Sequence, residues 1–361
     1  MSNAVSDSLI QQFHLQGEIL SVTPYGSGHI NDTYMVAAKK GDRVTRYMLQ
    51  RINGKVFKNP EQVMANIEKV TAHLRTYARS EREVLSFIPA EDGRLFVRDG
   101  GGDAWRIYRF VENSICLDAV ENEQDFYECA YAFGKFQRDL RDFPADSLYE
   151  TIPDFHNTPA RYAAFRRAVA ADVCGRAEGV KEEIGFIDAR RDFYSALIDA
   201  QGRGQLPLRV THNDTKSNNV LLDKTTRRAL CVIDLDTIMP GYSVTDFGDS
   251  IRFGASTAAE DEPDLQKVHF NIDLFRVYVK GYLAGCGGKL EPGEIMLLPE
   301  GAKMMTIECG MRFLADYLSG DVYFKTAYPE HNLVRARTQL KLVKEMEEQW
   351  DEMKTIVRKF R

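Results

Sequence analysis

No apolar run in this 361-residue chain approaches the ~18 residues needed to cross a bilayer, and no charged-then-apolar leader opens it. A membrane partner is therefore not expected. Blocks of like charge are missing too: 47 Lys and Arg are interspersed with 53 Asp and Glu, for a net charge of −6. A nucleic-acid footprint would need clustered cations, so none is expected. The six cysteines form no C-x-x-C pair, which reads as reduced, buried thiols in a cytoplasmic protein. The seven histidines show no H-E-x-x-H or zinc spacing, and a structural metal is not expected. Internal repeats and low-complexity segments are also absent.

What is present is an ordinary globular composition, 44% hydrophobic and 28% charged, over a length that suits two lobes. Residues 1–112 read as strand-rich. Strands are expected at Gly17–Pro24, Asp32–Ala38, Arg46–Ile52, Arg94–Val97 and Trp105–Val111, with one helix over Asn59–Arg75. Residues 113–361 read as helical, over Gln124–Leu140, Pro159–Val173, Glu182–Ala200, Leu265–Ala284, Ile295–Leu318 and Arg335–Phe360. Only Leu206–Asp236 interrupts them with strands. The apolar stripe of the last segment (Leu340, Val343, Met346, Trp350, Met353, Val357, Phe360) is expected to pack on its own lobe. The chain is accordingly expected to be a monomer. The fold class that follows is α+β and bilobal, like a protein kinase, with a small antiparallel-sheet lobe and a large helical one.

The chemistry sits in Thr211-His212-Asn213-Asp214-Thr215-Lys216-Ser217-Asn218-Asn219 and in Ile233-Asp234-Leu235-Asp236. Phosphoryl transfer to an alcohol needs a carboxylate to take the hydroxyl proton, and an amide and a second carboxylate to hold the Mg²⁺ of ATP. Asp214, Asn219 and Asp234 stand in that order and near the spacing of the protein-kinase loop. Asp236 either adds a second metal ligand or merely solvates its turn. Asp246-Phe247-Gly248 spells a kinase metal motif, but it does not directly follow a strand. Asp246 is expected to brace the catalytic loop instead.

The turn Gly26–Asn31 lies where a phosphate-covering loop belongs, with Ser27 and Gly28 as nucleotide-binding candidates and His29 reaching phosphate or acceptor. A plain hairpin turn is the alternative. Period-two geometry lets only one of Gln50 and Arg51 face the nucleotide. Arg51 is favoured as its phosphate anchor, with Glu68 as the ion-pair partner. Glu308, Arg312 and Asp316 recur every four residues, as either a salt-bridge ladder or an arginine held out to a polar acceptor.

Together with Tyr25–Asn31, Asp246–Thr257, Glu308–Gly320 and Tyr328–Gln339, these motifs make the chain similar to the aminoglycoside phosphotransferase and choline kinase family. The resemblance implies ATP- and Mg²⁺-dependent phosphorylation of a small sugar substrate, at the anomeric hydroxyl of N-acetylglucosamine or N-acetylgalactosamine. It implies Asp214 as base, Asn219 and Asp234 as metal ligands, and His29, Arg312 and Tyr323 as sugar-binding. Arg51 departs from the lysine expected in many members. A kinase for choline, an aminoglycoside or homoserine is the alternative within the class. A non-catalytic nucleotide-binding module is the alternative outside it.

Overall fold

A computed structural model describes residues 5–26, 30–117 and 120–361. Strands β1 (Glu18–Pro24), β2 (Asp32–Lys40), β3 (Arg43–Ile52), β4 (Val97–Arg98) and β5 (Ala104–Arg109) form one antiparallel sheet in the order β1-β2-β3-β5-β4. Side chains alternate across it. Tyr47, Leu49, Trp105 and Ile107 bury one face with Leu9 and Ile10 of α1 (Asp7–Ile10). Met48, Gln50, Ile52, Ala104 and Arg106 occupy the other. Helix α2 (Pro60–Arg75) covers this second face, with Pro60 in its first turn and the Asn59 side chain accepting the Gln62 N–H at 3.2 Å. Its buried stripe of Val63, Met64, Ile67 and Val70 does not stay within the small lobe. It shares one apolar cluster with Phe136, Leu140, Val210, Leu235 and Ile238 of the large lobe.

In the large lobe, β6 (Ser114–Cys116), β8 (Val220–Asp223) and β9 (Ala229–Val232) make a three-stranded sheet, and β7 (Arg209–Thr211) pairs with β10 (Met239–Gly241). Around them lie α3 (Glu123–Asp139), α4 (Thr158–Ala171), α5 (Lys181–Asp188), α6 (Ala196–Gly202), α7 (Ser243–Gly254), α8 (Ile272–Cys286), α9 (Pro292–Met296), α10 (Leu298–Leu318), α11 (His331–Glu348) and α12 (Trp350–Phe360). The α+β, two-lobed architecture is the expected one. Helix α7 crosses α10 at Gly248 and Gly301, where a Cβ on either would collide with a backbone carbonyl of the other helix. That close crossing sets α7, and the carboxylates it carries, directly beneath β7.

Three expected helices differ. Glu182–Ala200 is split into α5 and α6 around buried Tyr194, whose hydroxyl donates to the Ile187 carbonyl at 2.7 Å. The helix expected from Leu265 starts only at Ile272, because the Asn271 side chain caps the N–H groups of Asp273 and Leu274. The final stripe is broken at Gln349: α11 packs on α10, and α12 packs mainly on α8 and also reaches α10 and α9. Leu340, Val343, Met346, Met353 and Val357 are all buried against their own lobe. The cysteines differ as well. Cys129, Cys231 and Cys286 are buried, whereas Cys116 and Cys174 are exposed. Among the described residues no helix is long and apolar enough to cross a membrane.

Candidate active site

The catalytic loop leaves β7 at Thr211 and is fixed by side chains from below. Asp246 on α7 accepts the N–H groups of His212 and Asn213, each at 2.8 Å, and the Gln137 amide at 3.2 Å. It therefore braces the loop, as the sequence suggested. Burial pushes its carboxyl up to about 6. Asp249, one turn further on, accepts the Thr215 N–H at 2.9 Å and is paired with Arg252. His212 is fully buried between Phe133 and Phe136. Its Nε2 lies 2.8 Å from the Ile233 carbonyl, and its Nδ1 accepts the Asp214 N–H at 3.3 Å. The ring thus donates from one nitrogen and accepts at the other, joining the loop to the strand end before Asp234.

These contacts present Asp214 to the cleft. One of its oxygens lies 2.8 Å from Lys216 Nζ, and the other accepts the Asn219 amide at 3.1 Å. The same amide also donates to the Asp214 carbonyl at 2.7 Å. Burial would lower the Lys216 ammonium, but Asp214 and then Asp249 outweigh it, so the lysine stays charged beside Asp214. Lys216 was not singled out from the sequence. Its signal is a cation two residues after Asp214, which gains meaning only once the loop curls Nζ back onto Asp214.

Asp234 follows β9 in a left-handed conformation, φ 58°, as does Asn213 across from it at φ 64°. Aspartate and asparagine tolerate this region better than most residues. The bend turns the Asp234 side chain into the open cleft. Although Asp234 is exposed, its carboxyl is raised, first by the protein that shields one side of it from water and then by the charges of Asp236 and Asp214. A carboxylate crowded by like charges is a ready place for a cation. Asn219, its N–H groups engaged on Asp214, has only its amide oxygen to offer one. Two oxygen donors suit Mg²⁺, which takes few protein ligands and completes its shell with phosphate and water. Among the described residues no cluster of three or more metal-binding side chains exists, in keeping with such an open site.

Across the cleft, the expected phosphate anchor needs correcting. Arg51 shares its sheet face with Trp105, pairs with Asp32 and with Asp103 at 2.9 Å, and points away from Asp234. Glu68 does not pair with it and is exposed on α2. The strand's alternation explains both: Gln50, not Arg51, faces inward. Gln50 Oε1 accepts two bonds from Arg106, at 2.8 and 3.1 Å, and Arg106 reaches on to Asp236. Asp236 is neither a free metal ligand nor a solvated turn residue, because its second oxygen accepts the Asn31 amide at 2.6 Å. From α2 the inward residue is Asn66, which donates to the Ile238 carbonyl at 3.0 Å. Ser27, Gly28 and His29 lie outside the described residues.

Beside the Asp249–Arg252 pair, on α10, Glu308 is held by His156 at 2.9 Å and Thr158 at 2.5 Å. Asp316 accepts the N–H groups of Val322, Tyr323 and Phe324. Both acids are thus engaged elsewhere, and no salt-bridge ladder forms along α10. Arg312 stands instead among Phe155, Tyr323 and Phe324, its guanidinium carbon 5.5 to 5.9 Å from each ring. Among the described residues no carboxylate lies within ion-pairing distance of it. Tyr323, 66% exposed, is the outer wall of this nest.

The fold has counterparts among known proteins. The fold is similar to that of an aminoglycoside phosphotransferase from Alicyclobacillus acidocaldarius, with TM-score 0.63 at 13% identity, covering 98% of each chain. It is also similar to a choline kinase from Cryptosporidium parvum, with TM-score 0.58 at 16% identity over 99% of this chain and 94% of that one. A third similar structure is the GDP complex of aminoglycoside 2'-phosphotransferase-IIIa, with TM-score 0.56 at 12% identity over 90% and 93%. At these identities the likeness speaks for the fold. The sequence model of the phosphotransferase enzyme family matches residues 21–278, which take in the catalytic loop, the Asp234 segment and α7. With most of its length covered by that model, the chain belongs to the phosphotransferase enzyme family.

Proposed function

We propose that this phosphotransferase is an N-acetylhexosamine 1-kinase, which moves the γ-phosphoryl group of ATP to the anomeric hydroxyl of N-acetylglucosamine or N-acetylgalactosamine. Residues 1–112 form its nucleotide-covering lobe and 113–361 its catalytic and acceptor-binding lobe. The reaction type rests on one arrangement: Asp214 between Lys216 and Asn219, facing Asp234. Relatives of this fold are a choline kinase and aminoglycoside phosphotransferases, all acting on small alcohols, and one is solved with GDP.

Asp214 accepts the acceptor's proton as the acceptor oxygen attacks phosphorus. The new O–P bond forms as the bond from phosphorus to ADP breaks, and the proton stays on the Asp214 carboxylate. Two of its lone pairs are already used by Lys216 and Asn219, which fixes its direction and leaves room for one hydroxyl. Lys216 balances negative charge as it shifts between carboxylate and phosphoryl oxygens. Mg²⁺ bound at Asn219 and Asp234 would neutralise the ATP phosphates and hold them in line.

The acceptor is argued from Arg312. A quaternary ammonium or a polyamine calls for an aromatic or acidic cage. The aromatic cage here already contains the protein's own guanidinium, which would repel a cation. An uncharged acceptor rich in hydroxyl and carbonyl oxygens fits its N–H groups and aromatic walls. ADP release measured with N-acetylglucosamine, N-acetylgalactosamine, choline, homoserine and an aminoglycoside tests this reading. Release only with the two sugars, and phosphorus NMR showing an anomeric phosphate, is the expected result. Choline- or aminoglycoside-dependent release would overturn the assignment.

A further inference from the structure

Protein kinases hold the nucleotide phosphates with a lysine on the third strand, kept in place by a helix glutamate. Here that strand offers Gln50 toward the cleft, and the glutamate of α2 is exposed. The nearest buried cation is Arg106, directly opposite Gln50 in the β3–β5 ladder and only 2% exposed. Its guanidinium divides its hydrogen bonds. Nε and Nη2 donate to Gln50 Oε1, and Nη1 pairs with Asp236, two residues beyond Asp234. Asp236 then accepts from Asn31, the residue before β2, and Asn31 in turn accepts the Asn53 N–H at 3.0 Å. One continuous chain of hydrogen bonds therefore runs from the small-lobe sheet through the Asp234–Asp236 segment to Asn31 and Asn53.

We propose that Arg106 is the positioning residue of the nucleotide site, taking over from β5 the part that a β3 lysine plays in protein kinases. The inference rests on the nucleotide half of the function above and not on the identity of the acceptor. Its chemistry favours arginine. A guanidinium is a rigid planar fork able to engage two acceptors in fixed directions, whereas an ammonium is a point charge. Stability alone is a poor reason for such a pair, since buried ion pairs often gain nothing over apolar residues of the same size. What this one does is hold the backbone that presents Asp234 from the small-lobe side. From the large-lobe side the same segment is held by Asn213, whose amide donates to the Thr237 carbonyl at 2.8 Å, and by the Thr237 hydroxyl on the His212 carbonyl at 2.5 Å.

The test uses the full-length protein and MgADP without acceptor. Calorimetry would follow MgADP affinity, and hydrogen exchange would follow residues 234–238 in the ligand-free state. Arg106→Lys should weaken MgADP about 10-fold or more and speed exchange of that segment. Because Arg106→Lys alone could destabilise the fold, the neutral double variant Arg106→Gln/Asp236→Asn is the second arm. It should melt within a few degrees of wild type yet show the same loss of affinity and protection. Placing the cation on the neighbouring strand, Gln50→Lys with Arg106→Gln, should recover MgADP affinity relative to Arg106→Gln alone. A double variant that binds MgADP like wild type, with unchanged exchange, would overturn the proposal. Wild-type protein that fails to bind MgADP would instead remove the nucleotide reading, and this inference with it.

Discussion

The loop that carries Asp214 and the aromatic nest around Arg312 are built by opposite means. From Thr211 to Asn219 the backbone is held by the buried side chains of Asp246, Asp249 and His212 and by half-buried Thr237. Around Arg312 the walls are aromatic rings, one of them largely exposed, and the central cation has no carboxylate partner among the described residues. The first region is over-determined and the second is permissive. Under the proposed function, hydrogen bonds fix the chemistry while a few ring-bearing residues set the acceptor.

The comparison breaks most visibly at Asp214. Asp214→Asn keeps the bond to Lys216 and the shape but removes the proton acceptor, so kcat should fall at least ~100-fold while MgADP binding persists. A variant with near-normal turnover would remove the base assignment. Next comes Asp246, through stability rather than rate. Its folded carboxyl titrates near 6, above the ordinary 3.8. As pH rises from 4 to 6, the unfolded chain releases this proton before the folded one does. Wild type should therefore lose about 2–3 kcal/mol relative to Asp246→Asn across that window. Urea titrations of both proteins at the two pH values read this, and a constant gap would refute it.

Arg312→Ala should raise the sugar KM about 10-fold and leave the ATP KM unchanged, the worth of a charged hydrogen-bonding group. Equal changes in both constants would return Arg312 to a structural role. The smallest effect belongs to Tyr323→Ala, about 2- to 3-fold on the sugar KM, since an exposed ring contributes little burial. A loss as large as that of Arg312→Ala would show the nest to be more tightly built than its exposure suggests.

The same contrast explains what could be read from the chain. Asp214, Asn219 and Asp234 are close in sequence, and their spacing survives because a loop and a strand end position them; the structure brings them together. Asp246 was legible as a brace for the same reason. Arg106 was not, because its partners Gln50, Asp236 and Asn31 come from distant segments and meet only through sheet register. The choice of Arg51 over Gln50 failed on strand phase, which a sequence leaves ambiguous when a polar and a charged residue adjoin. Of the two readings of Glu308, Arg312 and Asp316, the ladder fails because helical spacing permits contacts that tertiary partners can outbid, here His156 for Glu308 and backbone N–H groups for Asp316. Boundaries slipped where a side-chain cap decided them, as at Asn271.

Helix α2 has a consequence for control. Many kinases are switched off by swinging the corresponding helix outward, away from the nucleotide. In this chain such a swing would tear Met64 and Ile67 from an apolar cluster shared with Phe136, Leu235 and Ile238, and strip Asn66 from two backbone carbonyls. The helix is soldered to the lobe it would have to leave. The expected corollary is an enzyme with no dormant form of that kind, its output set by how much acceptor and nucleotide arrive rather than by a signal that repositions α2.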